Sequence, residues 1–156
     1  MKDIDKIQKE LQDTIKKYRL PSFKDLDSEF EISNIDHDGF LTRAIRRKMV
    51  EKLEFFVKII EILIFPDASS LASMQESKLL DEDHRNNLLK LYKHLMIYDR
   101  ISLSLEIDND DKKNIKFIQD LYSEWNVVKP QLMEVVKIMT DSWSKDDESI
   151  EEKYFG

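Results

Sequence analysis

The chain has 156 residues, 41% hydrophobic, 10% aromatic and 37% charged, with a net charge of −7. This is enough for one domain with a sizeable core, too apolar to stay disordered, and too acidic to lay its whole surface against nucleic-acid phosphates. The absence of cysteine excludes disulfides, iron–sulfur clusters, thiolate zinc sites and thiol nucleophiles together. Two glycines and three prolines interrupt the chain rarely, which suits long helices. The first residues lack the apolar run of a secretory signal. The most apolar stretch, Phe55 to Phe65, is broken by Lys58 and Glu61 and is too short to span a bilayer. The expected location is the cytoplasm.

Ile4, Ile7, Leu11, Ile15 and Tyr18 recur at three- and four-residue steps and predict an amphipathic first helix. Leu20-Pro21 ends it, because a residue before proline resists the α conformation. Ser22 is placed to cap a short second helix reaching Glu31, with Phe23, Leu26 and Phe30 inward. Asp38-Gly39 then signals a turn.

From Leu41 to Phe65 the chain reads LTRAIRRKMVEKLEFFVKIIEILIF. Leu41, Ile45, Met49, Leu53, Phe56, Ile60 and Leu63 share one face. Phe55, Ile59, Ile62, Ile64 and Phe65 widen it nearly all the way round. This predicts a central helix that its neighbours must cover on most sides. Pro66 stops it, and Pro66 to Leu80 reads as a polar crossover loop with room for one short helix from Ser70.

A long helix opens at Leu80-Asp81, with Asp81, Glu82 and Asp83 at the positive end of its dipole. Its inward face is predicted as Leu88, Leu91, Tyr92, Leu95, Tyr98 or Met96, Ile101 and Leu105. Asp108 to Asp110 turns the chain. The last helix runs from about Asp111 to Trp143. Its stripe is Ile115, Ile118, Tyr122, Trp125, Val128, Leu132, Val135 or Val136, Met139 and Trp143. Pro130 is expected to kink it. The remaining residues form an acidic tail expected to fray. The predicted fold class is all-α: a four-helix, up-and-down-type bundle over residues 1–143, with one short additional helix and a crossover loop.

Three constellations bear on function. Asn34-x-Asp36-x-Asp38-Gly39-Phe40 resembles the calcium loop of an EF-hand, with oxygen ligands at alternate positions, a glycine at the sharp turn and a backbone carbonyl after it. It departs from that pattern at Asn34, where Asp is usual, and at Ile45, where the bidentate Glu would stand. The resemblance implies a weak cation site at Asn34, Asp36, Asp38 and the Phe40 carbonyl. The alternative is a turn in which Asp36 or Asp38 caps the central helix.

Second, Arg43, Arg46 and Arg47, followed by Lys48 and Lys52, gather at the start of the central helix. Guanidinium forks bind phosphates or carboxylates through paired hydrogen bonds. The fragment TRAIRRKMVEK is similar to the arginine-rich helix of corrinoid adenosyltransferases, trimeric helical bundles that hold ATP. That similarity implies a phosphate or other anion on Arg43, Arg46 and Arg47. The spacing differs by one residue, and the glycine-rich nucleotide loop of that family is absent. The alternative is a solvated charged face paired with Glu or Asp of a neighbouring helix or of the acidic tail.

Third, Asp81-x-x-His84 has a spacing found in di-metal carboxylate bundles, which need it twice. Residue usage in stretches such as LEIDNDDKKNIKFIQDLYSEW resembles uncharacterised all-helical proteins of thermoacidophilic archaea, which implies a bundle and no transferable active site. No Ser–His–Asp set, glycine-rich phosphate loop or HExxH is present. The expectation is a non-enzymatic bundle that works as a homo-oligomer or through a protein partner. It needs no nucleic acid, no membrane and no cofactor, apart from the divalent cation the Asp-rich turn would take. The alternative is a ligand- or nucleotide-binding bundle.

Overall fold

Among the described residues the chain folds into helices alone: α1 (Lys2–Tyr18), α2 (Phe23–Phe30), α3 (Leu41–Ile64), α4 (Leu71–Ser77), α5 (Glu82–Ile107) and α6 (Asp111–Ser144), with one 3-10 turn at Ile32–Asn34. This computed structural model describes residues 2–35 and 39–144; Asp36, Asp38 and the acidic tail from residue 145 lie outside it.

Short polar side chains set most helix starts. Ser22 Oγ accepts the Asp25 N–H at 3.1 Å and caps α2. Ser70 and Asp81 do the same for α4 and α5, at 3.2 and 2.8 Å, and the Asp110 carboxylate accepts the Lys113 N–H at 3.0 Å where α6 begins. Each such bond satisfies a donor that the first turn leaves open. The Asp81-x-x-His84 spacing is therefore a helix cap, with the His84 N–H donating to the Asp81 carboxylate. α2 closes on Glu31 at φ 55°, a left-handed conformation that costs a non-glycine residue roughly 1 kcal/mol. The Glu31 N–H still reaches the Asp27 carbonyl at 2.9 Å.

α3 is the hub: every other α-helix packs on it, α6 and α5 most extensively. Ile45, Met49, Leu53, Ile60 and Leu63 are buried along it, and they share one continuous core with Leu11 of α1, Leu26 of α2, Leu95 of α5 and Leu121 of α6. Burying each of these side chains contributes about 1.5–3 kcal/mol. The start of α3 reaches the end of α5 through Arg43, Arg47 and Glu106, so the two helices run antiparallel. The three-residue turn at Asp108–Asp110 then sends α6 back along α5. No helix among the described residues is long and apolar enough to cross a membrane.

The structure departs from the sequence reading in three places. Phe55, Ile62 and Phe65 stay exposed, Phe65 at 69%, because the neighbours of α3 cover one broad side of it and not its whole circumference. On α5 the inward positions beyond Leu95 are Asp99, Ser102 and Leu105, and Ile101 faces out. Steps of 3.6 residues from Leu95 land there, and helical register outranks the apolarity of Ile101. On α6, Val135 rather than Val136 is buried, and Trp143 is half exposed while Ser142 faces inward. There the Gln75 side chain of α4 donates to the Ser142 carbonyl at 2.6 Å. Pro130 lies within α6 on its exposed side; it offers no N–H to the Asn126 carbonyl, yet the helix continues through it.

Candidate functional site

Where α3 starts, α5 ends and α6 begins, the inner surface of the bundle is polar. Arg46 is completely buried. Its Nε donates to Asn114 Oδ1 at 2.7 Å, its Nη1 to the Ser102 carbonyl at 3.2 Å and to the Ser102 hydroxyl, and its Nη2 to Glu106 Oε1 at 2.8 Å. Asn114 is fixed in turn, its amide donating to Asn109 Oδ1 at 2.8 Å. One guanidinium thereby ties together three helices and the turn between α5 and α6. A buried charge is tolerable only when paired and hydrogen-bonded to this extent.

Glu106 is shared. Arg47 grips it with a two-pronged contact, Nε to Oε1 at 2.8 Å and Nη2 to Oε2 at 2.7 Å. Arg43 Nη2 adds a third guanidinium at 3.1 Å. The Arg47 hydrogen bond, followed by those of Arg46 and Arg43, holds the Glu106 carboxyl far below the usual carboxylate range. Burial pushes the Arg46 guanidinium down and Glu106 opposes that. Beside this network Thr42 Oγ1 donates to Asp111 Oδ1 at 2.7 Å.

Arg43, Arg46 and Arg47 are thus brought onto one anion, as their spacing suggests, and the anion is this chain's own carboxylate. A phosphate would have to displace Glu106. Sequence reasoning missed Glu106, Ser102 and Asn114. The signal that would have found Glu106 was register: it stands one residue past Leu105 on the inward side of α5, near the start of an antiparallel α3.

The Asp-rich turn is only partly visible. Asn34 lies in the 3-10 turn. The Phe40 carbonyl accepts the Ala44 N–H at 3.0 Å as the first acceptor of α3, and the Phe40 side chain is exposed. Asp36 and Asp38 lie outside the described residues. Among those residues no group of three or more His, Asp or Glu side chains could hold a metal ion.

Two further polar clusters flank the core. The Glu29 carboxylate accepts Lys129 Nζ at 2.7 Å and the Trp125 indole N–H at 2.8 Å, and these contacts, Lys129 first, hold it below its ordinary range. Lys52 donates to the Glu29 carbonyl and lies over the rings of Trp125 and Phe30, so its charge belongs to this knot and not to the Arg cluster. On the other side, Glu54 faces Asp99. Partial burial, then the Asp99 carboxylate, raise the Glu54 carboxyl above its usual value, while Asp99 is also held by Arg100.

The outer surface of the same stretch of α5 reverses the usual order. Ile97, Ile101, Leu103 and Ile107 point to water, Ile97 at 58% and Ile107 at 89% exposure. Tyr92, Met96, Ile97, Arg100 and Ile101 line a shallow trough along it. No family model, curated protein or solved structure matches this chain.

Proposed function

We propose that this protein is a non-enzymatic helical module that acts by association, with itself or with another protein, through the outer face of α5. The observation that supports this most is the mixed polarity of the last part of that helix, beyond Leu95. Asp99, Ser102 and Glu106 turn inward while Ile97 and Ile101 turn outward together, and Leu103 and Ile107 are exposed farther round the helix. A helix that only served its own core would carry them the other way round. Burying one such isoleucine against a partner is worth about 1.5–3 kcal/mol before the losses of association are counted. The Arg46 network supports the same reading, because it holds rigid the helix end that carries the face, and a preformed face loses less order on binding. The lack of cysteine is in keeping with a reducing compartment such as the cytoplasm.

A photo-reactive residue placed at position 97 in the source cell, beside a control at the exposed position 116 of α6, tests the reading. The expected result is a discrete cross-linked species from position 97 that disappears when Ile101→Asp is added, with none from position 116. No adduct from position 97, or the same smear from both positions, overturns the proposal.

A further inference from the structure

The outer face of α5 carries charge as well as apolar area, and the sign is the opposite of the chain's. Between His84 and Ile107 the acidic residues are Asp99 and Glu106. Both are held by arginines, Asp99 by Arg100 and Glu106 by the α3 cluster. Apart from those pairs, what remains toward solvent between His84 and Ile107 is Arg85, Lys90 and Lys93, and the Arg100 guanidinium, though paired with Asp99, is itself 64% exposed, on a protein whose net charge is −7. Ile97 stands four residues after Lys93, and Arg100 and Ile101 stand three and four residues after Ile97, so cationic and apolar side chains lie beside one another on this face.

This combination narrows the occupant. Two copies joined face to face by a twofold axis would set the same cationic row against itself, a like-charge contact that disfavours the pairing. An added β-strand needs an open sheet edge, and the described residues contain helices alone. A helix laid along α5 has what the face lacks: an apolar stripe at the same period and carboxylates beside it. From Lys93 to Ser104 the face extends about 16 Å at 1.5 Å per residue, which accepts about three turns of a partner helix. We infer that the outer face of α5 binds an acidic amphipathic helix of a partner protein, with Ile97 and Ile101 taking its apolar stripe and Lys93 and Arg100 its carboxylates. This rests on the association reading above.

The test is fluorescence anisotropy with the full chain and a labelled helical peptide of about three turns, leucine on one stripe and glutamate beside it. A second peptide carries lysine in place of glutamate, and vesicles of phosphatidylglycerol serve as a third probe. The glutamate peptide is expected to bind with an affinity that falls as salt is raised. The lysine peptide should bind at least about tenfold more weakly, and Lys93→Glu or Ile97→Asp should each cost the glutamate peptide about tenfold. Both positions face solvent, so the melting temperatures of these variants should match that of the parent chain; Lys93→Gln is the milder variant if Lys93→Glu melts early.

Equal binding of the two peptides, or binding indifferent to Lys93 and Ile97, overturns the inference. Binding of the vesicles in place of the peptide assigns the face to an anionic membrane surface, and dimerisation abolished by Ile97→Asp assigns it to a second copy; either result also overturns it. If the peptide fails while the cross-link at position 97 persists, this occupant falls and association stands. If both fail, both fall.

Discussion

Removing the Glu106 carboxylate should unfold the protein more readily than any surface ion pair would suggest. Arg46 is at 0% exposure in the parent chain, and Glu106→Ala leaves it with only neutral partners, the Ser102 carbonyl and hydroxyl and the Asn114 amide. Stranding a buried charge in this way costs about 3–5 kcal/mol. The Glu106 side chain is itself 32% exposed, so water can follow it toward Arg46, and the lower end, about 3 kcal/mol, is the better expectation. Against a total stability of about 5–15 kcal/mol this is a large fraction. At about 2–4 °C per kcal/mol for a chain of this size, the midpoint should fall by about 6–12 °C.

Arg47→Ala is the control. It deletes a pair whose arginine is half exposed and should cost under about 1 kcal/mol. Helical circular dichroism followed against temperature and urea measures both. A drop for Glu106→Ala no larger than that for Arg47→Ala would refute the claim that Arg46 depends on Glu106. The pH dependence gives a second readout. Unfolded Glu106 takes up a proton near its ordinary 4.5, and folded Glu106 only far below it. Its contribution is therefore complete above that value and is lost progressively as the pH falls below it. Glu106→Gln should flatten this part of the acid-unfolding profile.

Leu121→Ala, which empties a fully buried position in the shared core, should cost about 2–5 kcal/mol in urea unfolding. Phe65→Ser, at the exposed residue that follows the end of α3, should stay within about 0.5 kcal/mol of the parent by the same measurement. For Glu54 the sign runs opposite to Glu106: its raised carboxyl disfavours the folded state once ionised, so Glu54→Gln should leave stability at neutral pH unchanged or higher, by less than about 1 kcal/mol. Millimolar ATP with magnesium should leave the melting temperature where it is, since Glu106 already occupies the arginines; a clear rise would show that phosphate displaces it.

The helix inventory was legible because it rests on signals that act locally. Apolar steps of three and four residues, Ser22, Ser70 and Asp81 at helix starts, and the Asp108–Asp110 turn each work within a few residues of themselves, and each is found in place. Burial was legible less evenly. Along α3 and α6 the apolar stripe and the inward register coincide, and Ile45, Met49, Leu53, Ile118 and Trp125 are all buried. They part at Phe55, Ile62 and Trp143, where apolar residues outnumber the neighbours available to cover them. The arginines stood out by type and spacing, but their shared partner, Glu106, lies about 60 residues away in the chain, and no local pattern connects α3 to it.

The end of α5 is where apolarity and register disagree most, and the two halves of the disagreement have different causes. The inward half is explained from within. Arg46 needs acceptors at the α3–α5 contact, and Ser102 and Glu106 are the residues that supply them; an isoleucine at 102 would bury more apolar surface but leave a guanidinium N–H unpaired, a loss of about 1–3 kcal/mol or more for a charged group. The outward half has no such internal cause. Nothing in the Arg46 network requires Ile97, Ile101 or Ile107 to be apolar, and a glutamate or lysine there would hold the helix as well. A rule broken without an internal compensation directs attention to a compensation outside the chain, and Ile97 and Ile101 present one common face to it.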